Sequence, residues 1–336
     1  MVSKISETYS KRDIEVTFRE KIPVINLPLR FTVSEAKLFK LTCQELFSQE
    51  KTTSKIIIDF SQTNFMDSCG VGSLVTNLKI ARKKDIDFIL DNVNSQVMSI
   101  FYLTELDKIF TIEQTKQTEI KGSWKPEENQ LPVTHSSIKS LVKRLIDIVG
   151  ALVGLLITGI LFIPIAIAIK FDSPGPIFFC QIRCGWMGRH FRMWKFRSMC
   201  EDAEQLKGQI KNQAQGAIFK NENDSRITKV GSFLRRKSLD ELPQFWNVLI
   251  GDMSLVGTRP PTPDEVERYE IPQWQRLDVK PGMTGEWQVN GRSQVKNFED
   301  IIRLDLKYQK NWSLMYDIKL IIRTVVILFK KSSGAY

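Results

Sequence analysis

Two adjacent carboxylates, Asp240 and Glu241, stand between the cationic stretch Arg235-Arg236-Lys237 and Arg259. Such an arrangement suits phosphate chemistry. Guanidinium groups neutralise phosphate oxygens in a bidentate fashion, and a carboxylate can attack phosphorus, accept a proton or help hold a metal ion. Upstream, Ile148 to Ile169 is an uncharged apolar run. The same part of the chain therefore carries a candidate anion site and a candidate membrane element, which points to a lipid phosphate as substrate. Ser238-x-x-Glu241 also spells a capping box, in which the two side chains only close a helix start. Pro243 opposes that role, because it would fall inside the first turns of the helix, where its ring clashes with the preceding turn. The spacing predicts a helix that begins nearer Glu241 to Pro243, with the carboxylates at its positive end.

The elements that must position these residues fall into two parts. Of 48 Lys+Arg and 38 Asp+Glu, residues 1–115 hold 15 of each, so the whole net charge of +10 lies behind them. A neutral front half and a basic rear half fit a rear half that meets something anionic. In the front half, Val24 to Leu27, Ile56 to Phe60, Phe88 to Leu90 and Ile109 to Ile112 are β-rich runs. Between them, Ala36, Phe39, Cys43 and Leu46, and then Val71, Leu74, Val75, Leu78 and Ala81, recur at helical spacing, which predicts a small α/β layer domain. Gly70-Val71-Gly72 lacks the third glycine of a dinucleotide fingerprint. Residues 114–137 are polar, with Gly122, Pro126 and Pro132, and read as a linker.

The 22 uncharged residues from Ile148 to Ile169 would reach roughly 33 Å at about 1.5 Å per residue, enough to cross a bilayer core. Flanking charge opposes a straight span. Lys139, Lys143 and Arg144 precede the run, and Lys170, Arg183, Arg189, Arg192, Lys195 and Arg197 follow it, so both ends favour the cytoplasmic side. Pro164, with Gly154 and Gly159, weakens the helix. A helix over 143–170 that bends inside the membrane and returns satisfies both facts. Near the end, apolar residues from Trp312 to Phe329 interleave with Lys319, Arg323, Lys330 and Lys331, which predicts an amphipathic helix over 312–331 on the interface, with core packing as its rival. The five scattered cysteines and two histidines suit reduced intracellular thiols rather than a zinc site. Without a signal peptide the front half is expected in the cytoplasm. Nucleic acid is not an expected partner, because the basic residues accompany an apolar anchor rather than a stripe with stacking aromatics.

Two resemblances sharpen the reading. The turn Asn64-Phe65-Met66-Asp67-Ser68-Cys69-Gly70-Val71-Gly72, with Asn92-Val93 and the ending Leu103 to Phe110, resembles the phosphorylation loop and flanks of STAS domains, the anti-sigma-factor antagonist family. That implies a STAS-like regulatory domain over 1–113, with Ser68 as phosphoacceptor for a kinase or regulatory protein; the residue types alone read Ser68 as a helix N-cap. Here Cys69 stands where a second serine is usual, and Pro28-Leu29-Arg30-Phe31 replaces a Gly-x-x-Asp turn.

From Lys143 to the C-terminus the chain resembles bacterial sugar transferases of the monotopic phosphoglycosyl transferase family. The matching blocks are Lys143-Arg144-x-x-Asp147, Asp172 to Pro176, Lys195 to Met199, Ser238 to Gln244, Gly251 to Ser254, Arg259-Pro260, Lys280 to Gly285 and Asn290-Gly291-Arg292. The resemblance implies a mainly α monotopic membrane domain over 138–336, with a re-entrant helix at 143–170 and a catalytic region at 171–300. It also implies transfer of a sugar 1-phosphate from a UDP-sugar to polyprenyl (undecaprenyl) phosphate, in exopolysaccharide or glycoconjugate synthesis, at the cytoplasmic face of the inner membrane. Asp240 would form a covalent phosphosugar intermediate assisted by Glu241, with Mg²⁺ near both. Arg235 and Arg259, with Arg292, would meet the substrate; Lys195 could join them or, like Arg236 and Lys237, meet anionic lipid headgroups. The family's Ser-Pro break would fall on Gly159-Ile160, so Pro164 is expected to carry it, and Thr258 replaces a proline. The alternative is a membrane-tethered STAS adaptor without catalysis.

Overall fold

The computed structural model describes residues 14–48, 54–113, 133–210, 212–213, 221, 224–290 and 297–329. Most of the linker, together with Arg292, Lys330 and Lys331, lies outside the described residues. The chain forms two compact units, residues 1–134 with 270–275, and residues 135–269 with 276–336.

In the first unit the elements are β1 (Glu15–Arg19), β2 (Ile22–Asn26), β3 (Arg30–Phe31), α1 (Val33–Ser48), β4 (Lys55–Asp59), β5 (Phe65–Met66), α2 (Ser68–Lys83), β6 (Asp87–Asp91), α3 (Ser95–Thr104) and β7 (Thr111–Glu113). Five strands pair in the order β1-β2-β4-β6-β7, with β1 antiparallel to β2 and the other pairs parallel. The apolar runs expected as strands are β2, β4 and β6, whose Val24, Ile56, Ile58 and Leu90 are buried. The fourth run starts later than expected, because residues 106–108 close a 3-10 turn before β7. Aromatic pairs fill the core, with the Phe31 and Phe39 rings 5.4 Å apart and those of Phe60 and Phe101 6.0 Å apart, both edge to face.

The second unit opens with α4 (Ser136–Lys139) and α5 (Leu141–Asp172), followed by the hairpin β8 (Phe178–Cys184) and β9 (His190–Phe196). Then come α6 (Lys229–Arg236), α7 (Gln244–Ile250), β10 (Ser254–Val256), α8 (Pro263–Val266), β11 (Gly282–Thr284), α9 (Glu286–Val289), α10 (Phe298–Lys310) and α11 (Leu314–Phe329). It is mainly helical, as expected, with β10 and β11 forming a short parallel pair.

Helix α5 is the spine of this unit. Ser140 caps it by accepting the Lys143 N–H. Pro164 lies inside, yet the helical backbone runs uninterrupted to Asp172. One face of α5 is bound along its length. Arg144 donates to the carbonyls of Val248 and Leu249, at 2.8 and 2.7 Å. Asp147 accepts from Ser254 Oγ and the Leu255 N–H, both at 2.9 Å. Ala151 packs with Val248 and Met253, and Ile165 and Ile169 pack with Phe196 and Leu234. Between those clusters α5 and α7 touch so closely that a Cβ on Gly154 would sit 2.4 Å from the Phe245 ring. The opposite face, with Leu145, Val149, Leu152, Leu156, Ile160, Ile163 and Ile167, is exposed, and Phe171 is 90% exposed.

Helix α11 answers both readings of the C-terminal pattern. Leu320 is buried against Val256, Val279 and Tyr308. Met315, Ile318, Ile322, Val325 and Val326 face outward.

Candidate active site

Asp240 and Glu241 sit in the 3-10 turn Leu239–Glu241, directly ahead of α7. Ser238 adopts φ 53° and makes no side-chain cap, so the capping-box reading fails. The helix starts at Gln244, later than expected, because Pro243 supplies a residue with helical φ but no N–H and takes the position just before it. The carboxylates precede the helix rather than occupy its first turn, and seven residues give it little dipole. Asp240 is buried, at 6% exposure. Its negative charge is one of those that hold the neighbouring Arg235 guanidinium protonated. Glu241 Oε1 lies 3.2 Å from Lys195 Nζ at the end of β9.

Two cavities border this part of the chain, the larger at Arg235 and the smaller at Glu241. The larger, about 460 Å³, is lined by Arg183, Lys195, Ser198, Arg226, Arg235 and Arg259 among others. The smaller, about 130 Å³, includes Arg183, Lys195, Glu241, Arg259, Trp287 and Gln288. Arg183, Lys195 and Arg259 line both.

Several cations here have carboxylate partners. Arg226 grips Asp224, and Arg259 donates through both terminal nitrogens to Glu265, at 2.7 and 3.1 Å. Glu265 also closes a capping box with Thr262 at the start of α8, so one side chain fixes the helix and aims the guanidinium. Arg183 and Arg235 differ. Arg183 bonds the Pro260 carbonyl and Gln181 Oε1, and Arg235 bonds Ser198 Oγ. Burial pushes both guanidinium groups below their ordinary range, Arg183 to about 10, with the charge of Arg259 beside it as the next cause. Neighbouring guanidinium groups with neutral partners on a cavity wall form a site for an anion. Arg197, by contrast, bonds the carbonyls of Pro174, Ser173 and Ile169 and ties α5 to the end of β9.

The fold therefore gathers the expected Asp240, Glu241, Lys195, Arg235 and Arg259 in one unit, while Arg292 lies outside the described residues. Arg236 and Lys237 are exposed, as expected for solvated or interfacial cations. Thr258 is buried and donates to the Arg276 carbonyl at 3.1 Å. Arg183 and Glu265 were not singled out from the sequence. Thr262-x-x-Glu265 has the spacing of a capping box, a signal that could have found the helix start but not the contact with Arg259, and Arg183 counted only as a flanking charge. Trp287 and Gln288 had no signal of their own. Ser68, in the other unit, is the first residue of α2 and fully buried; Asp67 is the N-cap, accepting from the N–H groups of Cys69 and Gly70.

For a divalent cation, Asp240 and Glu241 offer two carboxylates at most, and no cluster of three His, Cys, Asp or Glu occurs among the described residues. That donor set fits Mg²⁺ completed by substrate phosphate oxygens better than an all-protein cage.

Comparison with known proteins agrees with this division. The family model for bacterial sugar transferases matches residues 138–331, and that for STAS domains matches 13–119. The galactosyl transferase CpsE of Streptococcus agalactiae is 52% identical over 190 residues, which cover 56% of this chain and 42% of that protein. The UDP-glucose:undecaprenyl-phosphate glucose-1-phosphate transferase of Escherichia coli is 42% identical over 197 residues, covering 56% and 40%. The exopolysaccharide production protein ExoY of Rhizobium meliloti is 37% identical over 194 residues, covering 56% and 85%. This chain thus spans less than half the length of the first two. Among solved structures, the anti-sigma factor antagonist SpoIIAA in its unphosphorylated form is similar over 32% of this chain and 90% of that one, at 19% identity and a TM-score of 0.26.

Proposed function

Since this chain belongs to the bacterial sugar transferase family, we propose that it transfers a sugar 1-phosphate from a UDP-sugar to undecaprenyl phosphate. The observation that carries the proposal is the pair of neutral-partnered guanidinium groups, Arg183 and Arg235, beside the Asp240-Glu241 turn. A diphosphate would give both groups a directly bonded anion.

In this reading an Asp240 carboxylate oxygen attacks the phosphorus nearest the sugar. The bond from that phosphorus to the bridging oxygen breaks, and UMP leaves with the electron pair. An oxygen of undecaprenyl phosphate then attacks the same phosphorus, which restores the Asp240 carboxylate and forms the lipid-linked sugar diphosphate. Arg183 and Arg259 neutralise the diphosphate, Arg235 balances Asp240, and Lys195 holds Glu241 in place. Mg²⁺, held by Asp240 and Glu241, would neutralise charge on the departing UMP.

The face of α5 bound to its own unit from Lys143 to Ile169 supports a helix that lies along the transferase unit in one leaflet, since both ends stay with that unit. The outward faces of α5 and α11 would enter the cytoplasmic leaflet of the inner membrane, and basic residues would meet anionic headgroups. Phosphorylation of Ser68 by a regulatory kinase would require the first turn of α2 to open, because the hydroxyl is buried. The adaptor reading is disfavoured by the cavity wall that Glu241 shares with Arg183, Lys195 and Arg259.

Purified protein incubated with UDP-sugars, Mg²⁺ and undecaprenyl phosphate should release UMP, and Asp240→Asn should abolish release. Absence of UMP with every donor would overturn the proposal.

A further inference from the structure

The smaller cavity has a composition that the transfer chemistry alone does not require. Among its lining residues, Trp287 Nε1 and Gln288 Oε1 are buried without a hydrogen-bond partner among the described residues, and so is Arg183 Nε. Buried polar atoms nearly always find partners. The residues that carry these two donors and one acceptor line one cavity, which suits a ligand that both donates and accepts. Met193 and Met283 line the same space and add apolar surface.

Size narrows the choice. At roughly 10–15 Å³ of such volume per water, 130 Å³ takes about ten water-sized atoms. That suits a single sugar ring. Hydroxyl groups donate and accept, and the ring's C–H face suits contact with an indole or a thioether. Position agrees with size. Arg183, Lys195 and Arg259 form the boundary with the larger cavity, so a diphosphate held there would direct its two substituents to opposite sides.

We infer that the chamber lined by Trp287, Gln288, Met193 and Met283 is the subsite for the sugar of the donor, with Gln288 Oε1 accepting from a ring hydroxyl and Trp287 Nε1 donating to one. The larger cavity is left for the nucleoside. The inference rests on the donor being a nucleotide diphosphate sugar, and adds which residues discriminate among sugars. The Arg259 guanidinium carbon lies 5.9 Å from the Trp287 ring centre.

The test uses the full-length chain in detergent or nanodiscs and measures affinity for UDP, UDP-glucose, UDP-galactose and their N-acetylated counterparts. Gln288→Leu keeps much of the side-chain volume and removes the acceptor; Trp287→Phe keeps an aromatic ring and removes the donor. The expected result is unchanged UDP affinity, within about twofold, with the preference among the UDP-sugars reduced about tenfold or more. UDP affinity falling as far as UDP-sugar affinity in both variants would overturn the inference, and so would unchanged preference in both. Wild-type protein that binds UDP-sugars with sugar preference yet releases no UMP would leave the subsite standing and sink the transfer reaction instead.

Discussion

The transferase unit handles buried charge in two opposite ways. At the junction of α5 and α11, Lys143 Nζ lies 2.6 Å from Asp317 and 3.0 Å from the Val256 carbonyl. Asp317 also accepts from Tyr308 at 2.8 Å and Trp312 at 3.1 Å. Arg276 and Asp305 form a second closed pair with no exposed side-chain surface to speak of, further bonded to the Tyr269 hydroxyl. Around the cavities, Arg183 and Arg235 have neutral partners and burial acts against their charge. Closed networks are complete without a ligand, whereas the two cavity-wall guanidinium groups make their hydrogen bonds to neutral groups and feel carboxylates such as Asp240 and Glu265 only through space. Burial of charge alone therefore does not mark a site; burial on a cavity wall without a directly bonded carboxylate does.

This contrast can be broken from either side. Removing one member of a closed pair should cost stability: Asp317→Asn is expected to destabilise the unit by about 3–5 kcal/mol, because Lys143 is left buried beside a neutral group. Thermal unfolding would measure this, and the protein that remains folded should keep its affinity for UDP. The cavity should behave in reverse. Arg183→Gln should lower kcat/KM about 10- to 100-fold, the range of a charge-assisted hydrogen bond worth about 1.5–3 kcal/mol, with an unfolding temperature equal to or above wild type.

Glu265 belongs to both regimes. Glu265→Gln should cost about 1 kcal/mol through the weakened cap of α8, and lower turnover by loosening Arg259. The smallest effect concerns His135, whose ring bonds the Gln309 carbonyl at 3.0 Å and is held below its ordinary pKa by burial. The folded state keeps this ring neutral while the unfolded chain protonates near 6.5. Its contribution is thus fully present above that value and falls away as the pH drops below it. His135→Gln should flatten that part of the stability curve, as pH-dependent unfolding would read.

The sequence made some of these features legible and hid others for physical reasons. Strands β2, β4 and β6 could be read because they are buried on both sides and spell continuous apolar runs. β1 could not, since four of its five residues are exposed. The dyad was legible because adjacent carboxylates near arginines are rare combinations of residue type. Arg183 was not, because its meaning depends on Arg259 and Glu265, which reach it only through folding. Helix positions near the dyad shifted by a few residues as Pro243 took the position ahead of α7. At α2 the residue types read Ser68 as the cap, and the structure gives that role to Asp67, one residue earlier. Apolar periodicity found α11 but could not separate its two apolar faces, because burial of Leu320 and exposure of Ile322 follow from what packs nearby.

The most direct test of the account is titration of the full-length protein and its Arg183→Gln variant with UDP at two salt concentrations. The account expects the variant to bind at least about tenfold more weakly, with a shallower salt dependence and undiminished thermal stability. Equal UDP affinity in the two proteins would contradict it, because the Arg183 guanidinium would then serve no anion.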